Sequence, residues 1–127
     1  MYTVFMFVVR KPGTTISQFK HHYETKHLPL VLEILGDVMP VRHSRHYLSR
    51  AGDTDDAPPL VILGNPDAVD YDCITLIELE DEAHFQHFNE AFANSPRRQE
   101  LEADQDEFTD RAKLRLVGVE SVSVTAR

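Results

Sequence analysis

The pattern of apolar residues along the chain predicts four strands and two helical regions, in the order β-α-β-β-α-β. Residues 2–9 are rich in β-branched and aromatic side chains and end at the turn signal Arg10-Lys11-Pro12-Gly13, which is typical of a strand. Further strands are predicted within residues 39–49, 71–79 and 114–125. Right-handed crossovers turn this order into a single α+β, ferredoxin-like domain over residues 1–127, a four-stranded antiparallel sheet with the first and third strands at its centre.

The first helical region is predicted to contain a break. Thr15 and Gln18 fit a capping box at the start of a helix. Pro29 disfavours helical dihedrals in the residue before it, so we expect this helix to end near His27 and a second, short helix to cover residues 29–35.

The second helical region is also predicted as two helices. The first runs from about Glu82 to Ala93 and presents Phe88 to the core, and the next begins with Ser95 as its cap and Pro96 at its first position. Residues 51–69 are rich in Gly, Pro and Asp and are predicted to be a long loop.

The first strand is apolar on both faces, which bears on assembly. Its alternate residues point to opposite sides, Tyr2, Val4, Met6 and Val8 to one and Thr3, Phe5, Phe7 and Val9 to the other. Helices can cover only one face, and a large exposed apolar surface normally marks an interaction site. We therefore expect a homodimer in which two sheets pack about a two-fold axis and close a dimeric α/β barrel; the alternative is a monomer whose 51–69 loop folds under the sheet.

Charge and composition exclude several classes of function. The 127 residues carry 21 acidic and 13 basic side chains, a formal net charge of -8, which would repel a nucleic acid backbone. No apolar stretch reaches the roughly 20 residues of a membrane-spanning helix. The single Cys73 lies in an apolar run and is read as a small buried side chain. We expect a cytoplasmic protein with neither nucleic acid nor membrane as a partner.

The segment Tyr23-x-x-x-His27-x-Pro29 is the most informative candidate for chemistry. Tyr23 and His27 are four residues apart, so both lie on one helical stripe. Placed just before the N-terminus of the next helix, His27 is expected to have a lowered pKa and a neutral imidazole, which suits a general base. The alternative is that His27 only caps the helix break.

The second strand supplies further polar candidates. His43, Arg45 and Tyr47 share one face, and Arg42, Ser44 and His46 share the other. The face that turns inward would carry these groups to a ligand, whereas an edge strand protected by charge is the alternative. The sequence does not decide which face is inward.

The seven histidines do not predict a metal site. His43 and His46 face opposite sides of a strand, and no H-E-x-x-H or Cys/His cluster is present. No phosphate loop or dinucleotide fingerprint occurs either, so no cofactor is expected. In the acidic run from Asp104 to Asp110, Asp106 is retained as a candidate carboxylate, and the other acids are read mostly as a solvated face.

Taken together, these segments resemble the EthD-domain family along nearly the whole chain. The matching segments are the first strand with its Arg10-Lys11-Pro12-Gly13 turn, Phe19-Lys20-x-x-Tyr23-Glu24-x-x-His27-x-Pro29-Leu30, the strand that ends at Tyr47, and Asp106-Glu107-x-x-x-Asp110. The resemblance implies a dimeric α/β barrel with a ligand cleft between helices and sheet. It also implies kinship with small fungal tailoring enzymes of aromatic polyketide pathways, described as decarboxylases, dehydratases or cyclases, which need no metal or nucleotide.

These expectations combine into a working hypothesis, a cofactor-independent lyase acting on an aromatic polyketide, with decarboxylation as the first choice. His27 moves the proton, Tyr47 or Tyr23 hydrogen-bonds the carbonyl oxygen, and Asp106 orients His27. Arg45 or His43 orients a carboxylate or phenolate. The remaining expected substrate contacts are His46, Phe5, Phe7 and Phe88. The alternatives are a cofactor-free monooxygenase of anthrone-type substrates and a non-catalytic dimeric binding or stress-response protein.

Overall fold

A computed structural model describes all residues, 1–127, as one antiparallel sheet with helices on one side. The strands are β1 (Tyr2–Val8), β2 (Arg42–Tyr47), β3 (Cys73–Leu79) and β4 (Arg115–Val119), in the spatial order β2-β3-β1-β4. The helices are α1 (Ile16–His22), α2 (Leu28–Leu35), α3 (Glu82–Asn94) and α4 (Arg98–Phe108). The predicted α+β class, with an antiparallel sheet and the first and third strands central, is confirmed.

The helices pack on the face of the sheet that carries the even-numbered residues of β1. Val8 is buried there with Phe19 of α1, Tyr23, Cys73 and Phe108 of α4. This cluster explains the predicted burial of Cys73, and burial raises the pKa of its thiol to about 11. The core therefore lies between the sheet and the helices, directly beneath the segment that carries His27.

The opposite face of the sheet carries apolar residues with no helix over them. Phe5 of β1 pairs in register with Leu76 of β3 and Val117 of β4, and it is 38% exposed. The 51–69 loop does not cover this face with its apolar tip, because Ile62 and Leu63 are more than nine-tenths exposed. The loop instead contacts the start of α1, where Asp55 accepts hydrogen bonds from the Ile16 backbone N–H and the Ser17 hydroxyl.

The predicted break in the first helical region is wrong. The chain stays helical from α1 through a π-helical turn, Tyr23–His27, directly into α2, and His27 and Leu28 both have right-handed helical dihedrals. The Leu28 N–H donates to the Tyr23 carbonyl, five residues back. Pro29 has no N–H to donate, and in a regular α-helix its ring would collide with the carbonyl one turn earlier. The wider π turn just before Pro29 makes room for that ring.

The start of α4 also differs from its prediction. Ser95 is not a helix cap: its hydroxyl accepts the Arg97 N–H in a short turn, and α4 begins only at Arg98. The capping box at Thr15 and Gln18 is present as predicted. None of the helices is both long enough and apolar enough to cross a lipid bilayer.

Candidate active site

A cavity of about 280 Å³ lies between the helices and the sheet. Its polar lining groups are the side chains of Tyr23, His27, His43, Asn89 and Gln105. The other lining side chains are apolar: Met6, Leu28, Val31, Met39, Ile77, Phe85, Phe88, Phe92, Leu114 and Leu116. A mostly apolar pocket with a few converging polar groups is the usual form of a small-molecule site.

A wider and more polar depression of about 630 Å³ lies on another side of the molecule, around Arg10 and Arg50. The buried carboxylate of Asp72 is already paired there, since Arg50 Nη2 donates to Oδ1 at 2.7 Å and the backbone N–H of Arg10 donates to Oδ2 at 2.8 Å, although Arg50 Nε has no partner. These contacts tie the ends of β1, β2 and β3 together. We therefore place the candidate site in the smaller cavity.

His27 is held at this cavity as a neutral base. The π turn directs its ring towards α4, where Nδ1 lies 2.7 Å from Asp104 Oδ2. A carboxylate only accepts hydrogen bonds, so Nδ1 carries the proton and Nε2 keeps its lone pair, with no partner within the chain. Burial lowers the pKa of His27, and the hydrogen bond from Nδ1 to Asp104 opposes this only in part.

Two expectations about His27 are corrected here. Asp106 does not orient it: that carboxylate is half exposed and pairs with Arg111 at 3.1 Å, and Asp104 takes its place. No free helix N-terminus lies beside His27 either, since the helix is continuous, so the lowered pKa comes from burial and not from a helix dipole. The expected neutral imidazole remains, with a different physical cause.

His22 supports the same carboxylate. Its Nε2 lies 2.9 Å from Asp104 Oδ1, and its ring stacks on Phe108 at a centroid distance of 4.7 Å. The sequence analysis did not select His22, and it grouped Asp104 with the acids of a solvated face. Ligand atoms of His22, Asp104 and Glu107 lie within 4.8 Å of one another, but hydrogen bonds already engage His22 and both oxygens of Asp104.

His43 is held in the opposite tautomer. Arg45 Nη1 donates to His43 Nδ1 at 2.8 Å, so Nδ1 carries the lone pair and Nε2 carries the proton. Burial, and then the charge of Arg45, lower the pKa of His43 to about 4. At neutral pH His43 therefore contributes an N–H donor to the cavity that His27 also lines.

Arg45 and Tyr47 share the inward face of β2 with His43 but do not line the cavity. Both bind Glu24: the Arg45 guanidinium donates to its two oxygens at 2.5 and 3.1 Å, and the Tyr47 hydroxyl donates to Oε2. Although partial burial opposes it, the hydrogen bonds from Arg45 and Tyr47 lower the pKa of Glu24. The expected roles of Arg45 on a substrate carboxylate and of Tyr47 on a carbonyl oxygen do not fit this arrangement.

Tyr23 forms a wall of the cavity. Its hydroxyl shares a hydrogen bond of 2.8 Å with Thr75 Oγ1, and burial raises the pKa of the phenol far above neutrality. Its ring contacts both imidazoles, with centroid distances of 5.9 Å to His27 and 6.4 Å to His43. Tyr23 therefore positions the two histidines and does not offer its hydroxyl to a ligand.

The expected substrate contacts divide between the two faces of the sheet. Phe88 of α3 lines the cavity, as proposed from the sequence. Phe5, Phe7 and His46 do not, because alternate residues of a strand point to opposite sides and these three lie on the face without helices. The prediction that these three residues contact a ligand in this cavity is therefore wrong.

The partly buried neutral imidazole of His43 makes stability dependent on pH. In the unfolded chain His43 binds a proton near its ordinary pKa of 6.5, but in the folded protein only near about 4. Between these values the unfolded state binds more protons, so the free energy of unfolding falls as pH drops through this window, by about 3 kcal/mol from this group. His43→Asn keeps an acceptor for Arg45. We expect it to remove most of the loss of unfolding free energy that His43 causes between these pH values.

Urea unfolding at pH 7 and pH 4.5 measures this effect. His46→Asn, on the exposed face of the same strand, is the matched control. An equally steep loss of stability in wild type and His43→Asn would contradict the assignment of a neutral imidazole at His43.

Comparisons with known proteins bear on the family and the fold. A family model described as the EthD domain matches residues 11–112. A search of curated proteins finds no significant match. Among solved structures, the chain is similar to HapK from Hahella chejuensis, with a TM-score of 0.55 and 15% identity over 100% of this chain and 98% of that one. It is also similar to an ethyl tert-butyl ether D (EthD) family protein from Bacillus halodurans C-125, with a TM-score of 0.54 and 17% identity over 96% of this chain and 100% of that one.

Proposed function

The chain belongs to the EthD domain family, and from this premise we propose that it is a cofactor-independent lyase, a decarboxylase or a dehydratase/cyclase, acting on an aromatic polyketide. One observation carries the proposal. Two histidines, His27 buried and His43 partly buried, line one apolar cavity in opposite tautomers, His27 with a free Nε2 lone pair and His43 with an Nε2–H. A neutral base and a neutral hydrogen-bond donor at the same cavity are what proton transfer beside a carbonyl requires.

The proposed step is removal of a proton from the carbon next to a substrate carbonyl. His27 Nε2 takes the proton, the electrons of the C–H bond form the C=C bond of an enolate, and His43 Nε2–H donates to its oxygen. In a dehydration, the C–O bond to a β-hydroxyl then breaks, and the proton on His27 leaves with that oxygen as water. In a decarboxylation, the C–C bond to the carboxylate breaks to give carbon dioxide and the enolate, and His27 relays a proton from solvent water to the carbon, leaving hydroxide.

Asp104 and His22 complete this mechanism without contacting the substrate. The Asp104 carboxylate fixes the tautomer of His27 and stabilises the imidazolium that forms during transfer. His22 holds the other oxygen of Asp104 in place. Both are therefore positioning residues.

Two small probes test the two proposed reactions, dehydration and decarboxylation, in one assay, because both yield the same fluorescent product. 3-Hydroxy-1-tetralone loses water to give 1-naphthol after tautomerisation, and 1-hydroxy-2-naphthoate loses carbon dioxide to give 1-naphthol. We expect accelerated formation of 1-naphthol from at least one probe under argon, in the absence of added cofactor. A strict requirement for oxygen would support the anthrone-type monooxygenase, and binding of both probes without turnover would support a non-catalytic binding protein.

The donor role of His43 gives a second prediction. His43→Asn keeps the acceptor for Arg45 but places no N–H at the position of Nε2, and we expect it to lower kcat by roughly a hundredfold. His43→Gln places an amide N–H near that position and is expected to recover much of the loss. Steady-state kinetics on the better probe measure both variants, and equal activity in His43→Asn and wild type would remove His43 from the mechanism.

We also propose that the protein is a homodimer. The support is the apolar face of the sheet, where Phe5, Leu76 and Val117 lie side by side without helices over them. This face is opposite the cavity, so the proposed dimer would leave the cavity on the helical side of each subunit.

A further inference from the structure

The cavity that contains His27 and His43 has no formal charge on its wall. None of its 15 lining residues is Lys, Arg, Asp or Glu. Its two histidines have lowered pKa values and are neutral near pH 7. A carboxylate that entered would lose its hydration without gaining a cation, which is strongly unfavourable.

The charged groups that hydrogen-bond to the two cavity histidines are already engaged. Arg45, which approaches from β2, is bound to both oxygens of Glu24 and to His43. Asp104, behind His27, is negative and so disfavours an anion at the same place. The net charge of the chain, -8, also disfavours the approach of an anion.

Besides the two histidines, the cavity offers two amide side chains that make no hydrogen bond within the chain, the half-buried Gln105 and the exposed Asn89. Gln105 lies on α4 beside His27, on the helical stripe that also carries the buried Leu101 and Phe108. Its side-chain amide makes no hydrogen bond within the chain, whereas its backbone carbonyl accepts from Thr109. An amide both donates and accepts, so it matches an uncharged hydroxyl or carbonyl group.

From these observations we infer that the substrate is an uncharged aromatic hydroxyketone, and that Gln105 is the specificity residue that binds one of its oxygen atoms. The inference rests on the proposed function and narrows it to loss of water or aldol closure of a neutral substrate. It removes decarboxylation, the first choice from the sequence, because that reaction starts from a carboxylate. The cavity volume of about 280 Å³ suits a compound of one or two rings.

Binding of a matched pair of ligands tests the inference. 1-Hydroxy-2-naphthamide and 1-hydroxy-2-naphthoate have nearly the same size and differ in charge, and naphthol fluorescence reports their binding at pH 7.5. We expect the amide to bind at least about tenfold more tightly than the carboxylate. Equal binding, or tighter binding of the carboxylate, would overturn the neutral-substrate inference.

Variants at position 105 test the specificity residue. Gln105→Leu removes one hydrogen bond and is expected to weaken binding of the amide by roughly threefold to tenfold. Gln105→Lys introduces a cation and is expected to reverse the preference in favour of the carboxylate. Gln86→Lys, at an exposed position on α3, is the matched control and is expected to keep the wild-type preference. An unchanged preference in folded Gln105→Lys would overturn the assignment of Gln105.

The preference between the amide and the carboxylate ligand can be measured separately from turnover. His27→Asn removes the proposed base but leaves the charge of the cavity unchanged, so it is expected to keep the preference for the amide. Full activity in His27→Asn with that preference intact would defeat the proposed mechanism and leave the ligand class standing. Loss of activity in His27→Asn, together with no preference between the two ligands in wild type, would support the proposed mechanism and overturn the inferred ligand class.

Discussion

His27→Asn is expected to lower kcat by roughly a hundredfold or more on whichever probe the protein converts. The asparagine amide can still donate to Asp104 from near the position of Nδ1, so the packing around α4 is preserved. What disappears is the lone pair of Nε2, the group that takes the proton. Kinetics on folded protein, checked by circular dichroism and thermal unfolding, measure the loss. A variant that retains more than about a tenth of wild-type kcat would end the assignment of His27 as the base.

Asp104→Asn provides the matched positioning variant. The carboxylate raises the pKa of His27 against the larger effect of burial, so its neutralisation is expected to lower that pKa further. Activity requires neutral His27, and it therefore falls as pH drops through this pKa. The acidic limb of the kcat/KM profile is expected to move to lower pH in Asp104→Asn. A purely structural role of Asp104 would reduce activity without moving that limb.

Phe5→Glu is expected to convert the proposed dimer into monomers. Phe5 lies on the apolar face of the sheet between Leu76 and Val117, so each dimer would bury two carboxylates without partners. Each such burial costs at least about 2 kcal/mol, and the pair raises the dissociation constant by roughly a thousandfold. Size-exclusion chromatography with light scattering at micromolar concentration measures the change. The fold is expected to survive, because Phe5 is 38% exposed in the single chain.

Leu32→Glu is the control for this experiment. Leu32 is an apolar residue of α2, 54% exposed and outside the sheet, so its replacement is expected to leave the dimer intact. A monomeric wild type, or a Phe5→Glu protein that still runs as a dimer, would remove this face as the interface.

The sequence was sufficient for the fold because each strand and helix carries its own local signal. The sequence singled out His27, which does line the cavity, but pointed to Asp106 as its carboxylate, and the structure pairs His27 with Asp104 of the same acidic run. Helical phase separates them: Asp104 is three residues after Leu101 and four before Phe108, on the stripe of these two buried residues, whereas Asp106 points away. The helical phase of the two carboxylates is therefore a signal that the sequence does contain.

Other features of the site depend on contacts that local patterns do not contain. The inward face of β2 follows from its register with β3, which pairs Tyr47 with the buried Cys73. The pKa of His43 is lowered first by burial and then by the charge of Arg45, which also sets the tautomer. The position of Arg45 in turn depends on Glu24, twenty-one residues earlier in the chain. The continuity of the helix through Pro29 depends on a π turn, which has no reliable sequence signature.

The π turn from Tyr23 to His27 makes the site sensitive to the number of residues as well as to their identity. Removing one exposed residue of this turn, such as Thr25, would restore regular α-helical winding with little rotation between the flanking segments, because a π turn winds one extra residue into about the same turn. The ring of Pro29 would then meet the carbonyl four residues earlier, a collision that costs about 3 kcal/mol in a helix interior. Shortening the chain by one codon at this point is therefore expected to destabilise the helix that carries His27, and thermal unfolding of the Thr25 deletion measures that loss.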